Sequence, residues 1–164
     1  MTYSKIAFSL LFCGLLLAGC GKHTSTPETN GSPEAPSQTS SAEPAGHTHG
    51  AGPNGGVVFD LGSQHAEFTV DHGKQQCTIL VLGADEKSPL PVAAEELTLS
   101  TKETKTADGT VVAPMTITLV PQEAADGKAS TFVGTDPGMA NVADFEGTVV
   151  GLIDGKPAQG EFKE

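Results

Sequence analysis

The strongest constraint on this chain is the spacing of its apolar residues after position 56. In the segment HAEFTV, the side chains of Ala66, Phe68 and Val70 fall on one face of an extended chain and polar side chains on the other. The run CTILVL is apolar on both faces, as expected of a central strand. Similar short runs, among them the alternation over residues 111–120, continue to the C-terminus, and none has a helical pattern of about 10–12 residues. Turn signals separate the runs at residues 71–74, at the polar stretch 84–89 and at Asp154-Gly155. The pattern predicts an all-β fold, a small antiparallel β-sandwich of about seven or eight strands over residues 57–164.

The segment before this domain has the opposite composition. Residues 21–56 are rich in Pro, Ser, Thr, Gly and Glu and contain almost nothing apolar larger than alanine. Such a segment cannot bury enough apolar surface to offset the loss of chain entropy on folding. We therefore predict that residues 20–56 form a disordered tether in front of the folded domain.

The first 20 residues combine one basic side chain with an apolar run. Lys5 precedes an apolar stretch from Ile6 to Ala18, which is shorter than the ~20 residues that a membrane-spanning helix requires. A spanning helix and a buried core helix are the alternatives, but the polar segment that follows at once favours an export signal. The stretch ends in Leu17-Ala18-Gly19-Cys20, which resembles the lipobox of bacterial lipoprotein signal peptides.

This resemblance implies a processing step and a location. In such proteins a peptidase removes the signal peptide, here residues 1–19, and the thiol of the new terminal residue, here Cys20, carries a diacylglyceryl group. The lipid would hold the protein to a membrane, since each buried CH₂ group contributes ~0.8 kcal/mol. Gly21 and Lys22 lack the aspartate that commonly retains lipoproteins in the inner membrane. The expected location is therefore the cell envelope, at the outer membrane if the cell is Gram-negative.

Charge and motifs argue against two classes of function. The chain has 9 Lys+Arg against 20 Asp+Glu and a formal net charge of −11, which would repel the phosphate backbone of a nucleic acid. The sequence contains no Gly-x-Ser-x-Gly, no His-Glu-x-x-His and no glycine loop of the kind that holds phosphates. We predict that the chain is not an enzyme and does not bind nucleic acid.

The three cysteines have different expected roles. Cys13 lies in the predicted signal peptide and Cys20 is the predicted lipidation site, which leaves Cys77 as the one thiol of the domain. An internal disulfide is therefore impossible in the processed domain. Because Cys77 lies in an apolar, strand-like run, the pattern favours a buried and inert thiol over a metal ligand or a nucleophile.

The histidines concentrate where the tether meets the domain. His47 and His49 are two residues apart, so their imidazoles can point the same way in an extended chain. A further ligand from His65, Glu67 or His72 would complete a site for Zn²⁺, Cu²⁺, Ni²⁺ or Co²⁺. The alternative is that these side chains are solvated residues of a tether, a strand face and a turn.

The wider pattern resembles a group of envelope proteins. The motifs HTHG, PNGG, LG and HAE follow one another from residue 47, and VLGADEKSPLPVAAEEL and FEGTVVGLIDGK follow later. They are similar to motifs of a small domain near some periplasmic adaptor subunits of heavy-metal efflux systems, and of related free-standing lipoproteins. The resemblance covers most of residues 47–157 and implies a β-sandwich near the membrane with a role in metal handling. The chain has no helical hairpin or lipoyl-like segment, so it is not a complete adaptor.

Two functions are compatible with these features. In the first, a membrane-anchored envelope lipoprotein binds a divalent transition metal and acts as a metal buffer or an accessory to efflux. In the second, the domain is a structural or protein-binding module of the envelope, its partner is another envelope or efflux protein, and the histidines have no metal role.

Overall fold

The computed structural model of the protein describes residues 49–164. The predicted signal peptide, Cys20, most of the predicted tether and His47 lie outside these residues, so the expectations for them remain predictions. Within residues 49–164, no helix has the length and apolar character needed to cross a membrane.

Antiparallel strands make up nearly all the regular structure of the described residues. In chain order they are β1 (Val57–Leu61), β2 (Gln64–Asp71), β3 (Gln76–Leu82), β4 (Leu97–Thr101), β5 (Thr104–Lys105), β6 (Val111–Val112), β7 (Thr116–Gln122), β8 (Thr131–Thr135), β9 (Glu146–Ile153) and β10 (Lys156–Lys163). A short 3-10 helix, Pro137–Ala140, lies between β8 and β9. Eight strands form one sheet in the order β1-β2-β3-β8-β7-β4-β9-β10, and β5 pairs with β6 separately. This confirms the predicted all-β, antiparallel fold class.

Turn-forming residues connect neighbouring strands as the sequence predicts. Asp154 and Gly155 both have positive φ, 50° and 74°, which the two-residue turn between β9 and β10 requires. Asp71 is the last residue of β2, at the start of the predicted turn to β3.

One predicted strand is interrupted. The alternation over residues 111–120 is divided between β6 and β7, because Pro114 between them has no N–H group for strand pairing.

One hydrophobic core fills the interior of the curled sheet. Phe68 of β2 stacks on Phe162 of β10 with ring centroids 4.1 Å apart, and Phe59 of β1 packs against the same ring at 5.8 Å. These contacts join strands from opposite ends of the sheet order, so the sheet is nearly closed on itself. Burying a large apolar side chain contributes about 1.5–3 kcal/mol, and the core therefore holds the domain together without a disulfide.

The two outer strands meet at a seam of small residues. The backbone N–H of Gly62, just after β1, donates to the carbonyl of Gln159 in β10 at 3.1 Å. A Cβ atom on Gly160 would lie 2.1 Å from the carbonyl oxygen of Asp60 and 2.9 Å from the ring of Phe59. Only glycine allows so close an approach of a backbone and a ring. The seam also covers strand edges that would otherwise be open to pairing with another chain.

We expect Gly160→Ala to destabilise the domain, because a methyl group there overlaps the backbone of β1. Overpacking a filled site costs about 1–3 kcal/mol, and the free energy of unfolding measured in urea should fall by that amount. Gly50→Ala is the matched control, since nothing lies within 4 Å of a Cβ at that position. Equal unfolding free energies for the two variants would contradict a tight seam.

Candidate metal centre

Two imidazoles and two carboxylates converge at one end of β1 and β2. His49 Nδ1 lies 3.2 Å from Glu86 Oε1, and His49 Nε2 lies 3.6 Å from Asp60 Oδ2. His65 Nε2 lies 3.4 Å from Asp60 Oδ1 and 3.6 Å from Glu86 Oε1. One ligand atom from each of His49, His65 and Glu86 lies within 4.8 Å of the other two, an arrangement able to hold a metal ion. We call these four residues the histidine–carboxylate cluster.

Strand pairing places two members of the cluster. Asp60 of β1 is the cross-strand partner of His65 in β2, so their side chains share one face of the sheet at the same level. His65 is also paired with Leu82, the last residue of β3. The loop that follows β3 therefore begins beside the His65 ring.

This loop, from Gly83 to Ser88, positions Glu86. The N–H of Gly83 donates to the carbonyl of Ser88 at 2.9 Å, and the N–H of Glu86 donates to the carbonyl of Gly83 at 3.0 Å. Asp85 Oδ1 accepts from the N–H groups of Lys87 and Ser88 at 3.1 and 2.9 Å. The hydroxyl of Ser88, followed by these backbone donors, lowers the pKa of Asp85 from 3.8 to about 2. Because the folded pKa is depressed, this stabilisation of the loop is present above pH 3.8 and is lost as the pH falls through about 2.

Glu86 has a backbone conformation that side chains usually avoid. Its φ is 57°, in the left-handed region, which costs roughly 1–2 kcal/mol for a residue with a Cβ atom. Four other residues in turns and bends of the domain share this conformation, so it is not specific to the cluster: Gln75, Glu123, Asp126 and Asp154. Here the hydrogen bonds of the loop hold the backbone, and the carboxylate reaches His49.

A backbone carbonyl sets the orientation of His65. Its Nδ1 lies 3.2 Å from the carbonyl oxygen of Gly83, and Nδ1 therefore carries the proton that this hydrogen bond requires. In the neutral ring, Nε2 then presents its lone pair to Asp60 and Glu86. A lone pair that faces two carboxylates is unfavourable unless a proton or a metal cation lies between them. The rings of His49 and His65 meet edge to face, with centroids 5.5 Å apart.

The spacing of the ligand atoms fits an ion held by three side chains, His49, His65 and Glu86. Bonds of about 2.0–2.1 Å to imidazole nitrogen and carboxylate oxygen place neighbouring corners of a tetrahedron about 3.3 Å apart. Glu86 Oε1 lies 3.2 Å from His49 Nδ1 and 3.6 Å from His65 Nε2, close to this value. The contact of Asp60 with His49 uses the other ring nitrogen, Nε2, and one ion cannot bind both nitrogens of an imidazole. Side-chain exposure ranges from 11% for His49 to 44% for Asp60, so an ion can reach the cluster from solvent.

Glu67, a ligand candidate from the sequence, instead holds the segment before β1. Its side chain is buried, with 1% exposure, although the strand pattern placed it on the polar face. Oε1 accepts from the backbone N–H groups of Asn54 and Gly56 at 2.8 and 2.9 Å, and Oε2 accepts from the side-chain amide of Asn54 at 2.9 Å. A Cβ atom on Gly52 would lie 2.4 Å from this carboxylate, so the chain passes directly over it. Both oxygens have these partners, and the structure does not bring Glu67 into the cluster.

The remaining candidates also lie apart from the cluster. His72 follows β2 at the end opposite His65, and its Nδ1 is 2.9 Å from the carbonyl oxygen of Met139, the distance of a donated hydrogen bond. Cys77 is fully buried, and desolvation raises the pKa of its thiol to about 11, as expected of an inert thiol. Of the predicted metal residues within 49–164, the structure therefore brings together His49 and His65.

The sequence interpretation missed Asp60 and Glu86. Asp60 had a usable signal, because it lies opposite His65 across a short turn in a predicted hairpin. Glu86 had no such signal. It lies in a stretch that predicts only a polar turn, and its approach to the imidazoles depends on the hydrogen bonds and positive φ of the folded loop.

Comparison with known proteins does not assign the chain to a family: no protein-family model, no curated protein and no solved structure matches it. A functional proposal therefore depends on the geometry of the cluster and on the sequence features.

We expect Glu67→Gln to destabilise the domain, because the amide replaces one acceptor oxygen with a donor facing N–H groups. Hydrogen bonds to a charged group contribute about 1.5–3 kcal/mol, and the free energy of unfolding should fall by that amount in a urea titration. The control is Glu161→Gln, which makes the same change at an exposed position of β10. If both variants unfold at the same urea concentration, Glu67 does not hold this segment.

Proposed function

We propose that the protein binds a divalent transition metal ion through the histidine–carboxylate cluster. The observation that supports this most strongly is the orientation of His65. The Gly83 carbonyl directs the Nε2 of His65 towards Asp60 and Glu86, 3.4 and 3.6 Å away. Metal-ligating histidines commonly donate their second ring N–H to a carbonyl or carboxylate in this way, which orients the ring and makes it a better ligand.

The ligand set indicates which ions to expect. Imidazole combined with carboxylate suits Zn²⁺, Co²⁺, Ni²⁺ and Cu²⁺, whereas Mg²⁺ and Ca²⁺ prefer oxygen alone and Cu⁺ prefers sulfur. The thiol of residues 49–164, Cys77, is buried in the core and lies outside the cluster. Three side-chain ligands with a position left open to solvent are an arrangement that Zn²⁺ commonly takes, whereas Cu²⁺ prefers a square plane. We therefore propose Zn²⁺ as the first ion to test, with Co²⁺ as its spectroscopic substitute.

The cellular role that we propose is metal buffering or assistance to efflux in the envelope. The cluster is partly open to solvent, which suits an ion that is exchanged more than one that is permanently enclosed. The lipobox-like sequence ending in Cys20 supports export and lipid anchoring, and the resemblance to efflux-associated domains supports metal handling. These two lines of support come from the sequence alone.

The metal proposal predicts one Zn²⁺ site in isothermal titration calorimetry of the full chain. His65→Ala and Glu86→Gln should each weaken binding by more than about 10-fold, because loss of a residue that only orients a ligand already costs 10–100-fold. Binding should also weaken as the pH is lowered, since the ligands must be deprotonated.

His72→Ala is the matched control, because it removes an imidazole that lies outside the cluster and should leave the affinity unchanged. Co²⁺ should give the intense visible absorption of a tetrahedral site. Identical heats for wild type, His65→Ala and Glu86→Gln would refute the site, and favour the alternative in which the histidines form ion pairs without a metal role.

The anchoring proposal makes a separate prediction. In cells grown with radioactive palmitate, the wild-type protein should be labelled and Cys20→Ala should not, because the thiol would be the attachment point of the lipid. Cys77→Ala is the control, since that thiol is buried in the domain. Label that persists in Cys20→Ala would contradict lipidation at this position.

A further inference from the structure

A groove of roughly 690 Å³ lies on the outer face of the sheet, along β9. It is lined by Val150 and Leu152 of β9, by Thr98 of β4 and by residues 93–96, which precede β4. We call this surface the β9 groove. Its volume lies in the range of sites that hold small ligands or a few side chains, about 300–1,000 Å³. None of the four residues of the histidine–carboxylate cluster lines it, so it is a separate surface of the domain.

The apolar side chains of the groove are open to solvent. Val150 and Leu152 are 39% and 59% exposed, although both are large and apolar. Val150 pairs with Thr98 in β4 and with Gln159 in β10, and Leu152 pairs with Pro157 in β10. The cross-strand neighbours of both side chains are therefore uncharged. An exposed apolar surface of this kind is typical of a site that another molecule covers.

Hydrogen bonds fix the segment that borders the groove. The N–H of Ala93 donates to Oδ1 of Asp154 at 3.1 Å, and the N–H of Asp154 donates to the carbonyl of Ala93 at 2.8 Å. Val92 and Ala129 exchange two backbone hydrogen bonds of 3.0 Å each. Because the segment is held on both sides, the groove exists before a partner binds, and less entropy is lost on binding.

Two carboxylates of the groove have no cationic partner among residues 49–164. Glu95 and Glu96 are exposed, and the ion pairs of this part of the chain involve other side chains. Asp154 differs from them, since its Oδ1 lies 4.0 Å from Nζ of Lys128. The chain has a formal net charge of −11, which attracts a basic partner over a distance before it meets these two carboxylates.

We propose that the β9 groove binds a segment of a partner protein in which apolar side chains alternate with lysine or arginine. Val150 and Leu152 lie about 7 Å apart along the strand, the spacing of alternate side chains in an extended segment. The apolar side chains of the partner cover these two residues, and its basic side chains pair with Glu95 and Glu96. A second copy of this chain fits less well, because a two-fold contact brings the same carboxylates together. The inference goes beyond the proposed metal binding and does not depend on it.

Fluorescence anisotropy with the full chain tests the proposal, and the probe is a labelled eight-residue peptide that alternates Lys with Leu. EDTA is present throughout, so that the result is independent of the proposed metal site. Wild type should bind this peptide at least about 10-fold more tightly than a peptide that alternates Glu with Leu, because each basic side chain is replaced by an acidic one. Leu152→Ser should weaken binding about 10-fold, since the contact of a large apolar side chain is lost. Val142→Ser is the matched control, because Val142 is 71% exposed and does not line the groove.

A second pair of variants tests the charges. Glu95→Gln combined with Glu96→Gln should weaken binding and reduce its dependence on salt, because two ion pairs are removed. Glu103→Gln combined with Asp144→Asn makes the same change in net charge outside the groove, and should leave the affinity nearly unchanged. Equal binding by all variants would overturn the proposal in favour of a general attraction to the acidic chain. The absence of binding at peptide concentrations up to about 1 mM would overturn it as well. So would a dimer in light scattering that Leu152→Ser converts to a monomer, because a second copy would then cover the groove.

Discussion

The approach of β1 to β10 is the constraint on which the rest of the structure depends. A curled sheet of eight strands encloses its core only if the outer strands meet, and here Gly160 allows the backbone of β1 to come close. The stacked rings of Phe68 and Phe162 then lie between strands that are far apart in the sheet order. Because β1 carries Asp60, the same seam also determines where one side of the histidine–carboxylate cluster lies.

Two carboxylates outside the cluster determine its geometry. Glu67 is buried and accepts three hydrogen bonds from the segment before β1, which brings His49 near the sheet. Asp85 accepts hydrogen bonds from the N–H groups of Lys87 and Ser88 in the loop after β3, which keeps Glu86 in its left-handed conformation. Neither residue faces the two imidazoles. Glu67 and Asp85 instead fix the backbone near His49 and at Glu86 before an ion binds, so that little ordering remains when it does.

Much of the fold was accessible from the sequence because strand patterns are local. The alternation around Phe68 predicted a half-buried strand, and Asp154-Gly155 predicted a two-residue turn, since both signals depend on side-chain periodicity and backbone conformation alone. The same reasoning misjudged Glu67. The alternation in β2 predicted that the carboxylate of Glu67 faces solvent. It is buried because a glycine-rich segment folds over it. Pro114 was a local signal for a break between β6 and β7. The alternation of apolar and polar residues on either side of it nevertheless predicted one continuous strand.

By itself, the sequence determined the antiparallel β class, the side-chain alternation of the longer strands, and the concentration of histidines near the start of the domain. These properties follow from local composition. Tertiary structure alone decided which side chains meet. His49 and His65 converge with Asp60 and Glu86, whereas His72 and Glu67 do not, because convergence depends on strand register, on the conformation of one loop and on where the chain crosses a buried carboxylate. Those are long-range contacts, and no short pattern of residues encodes them.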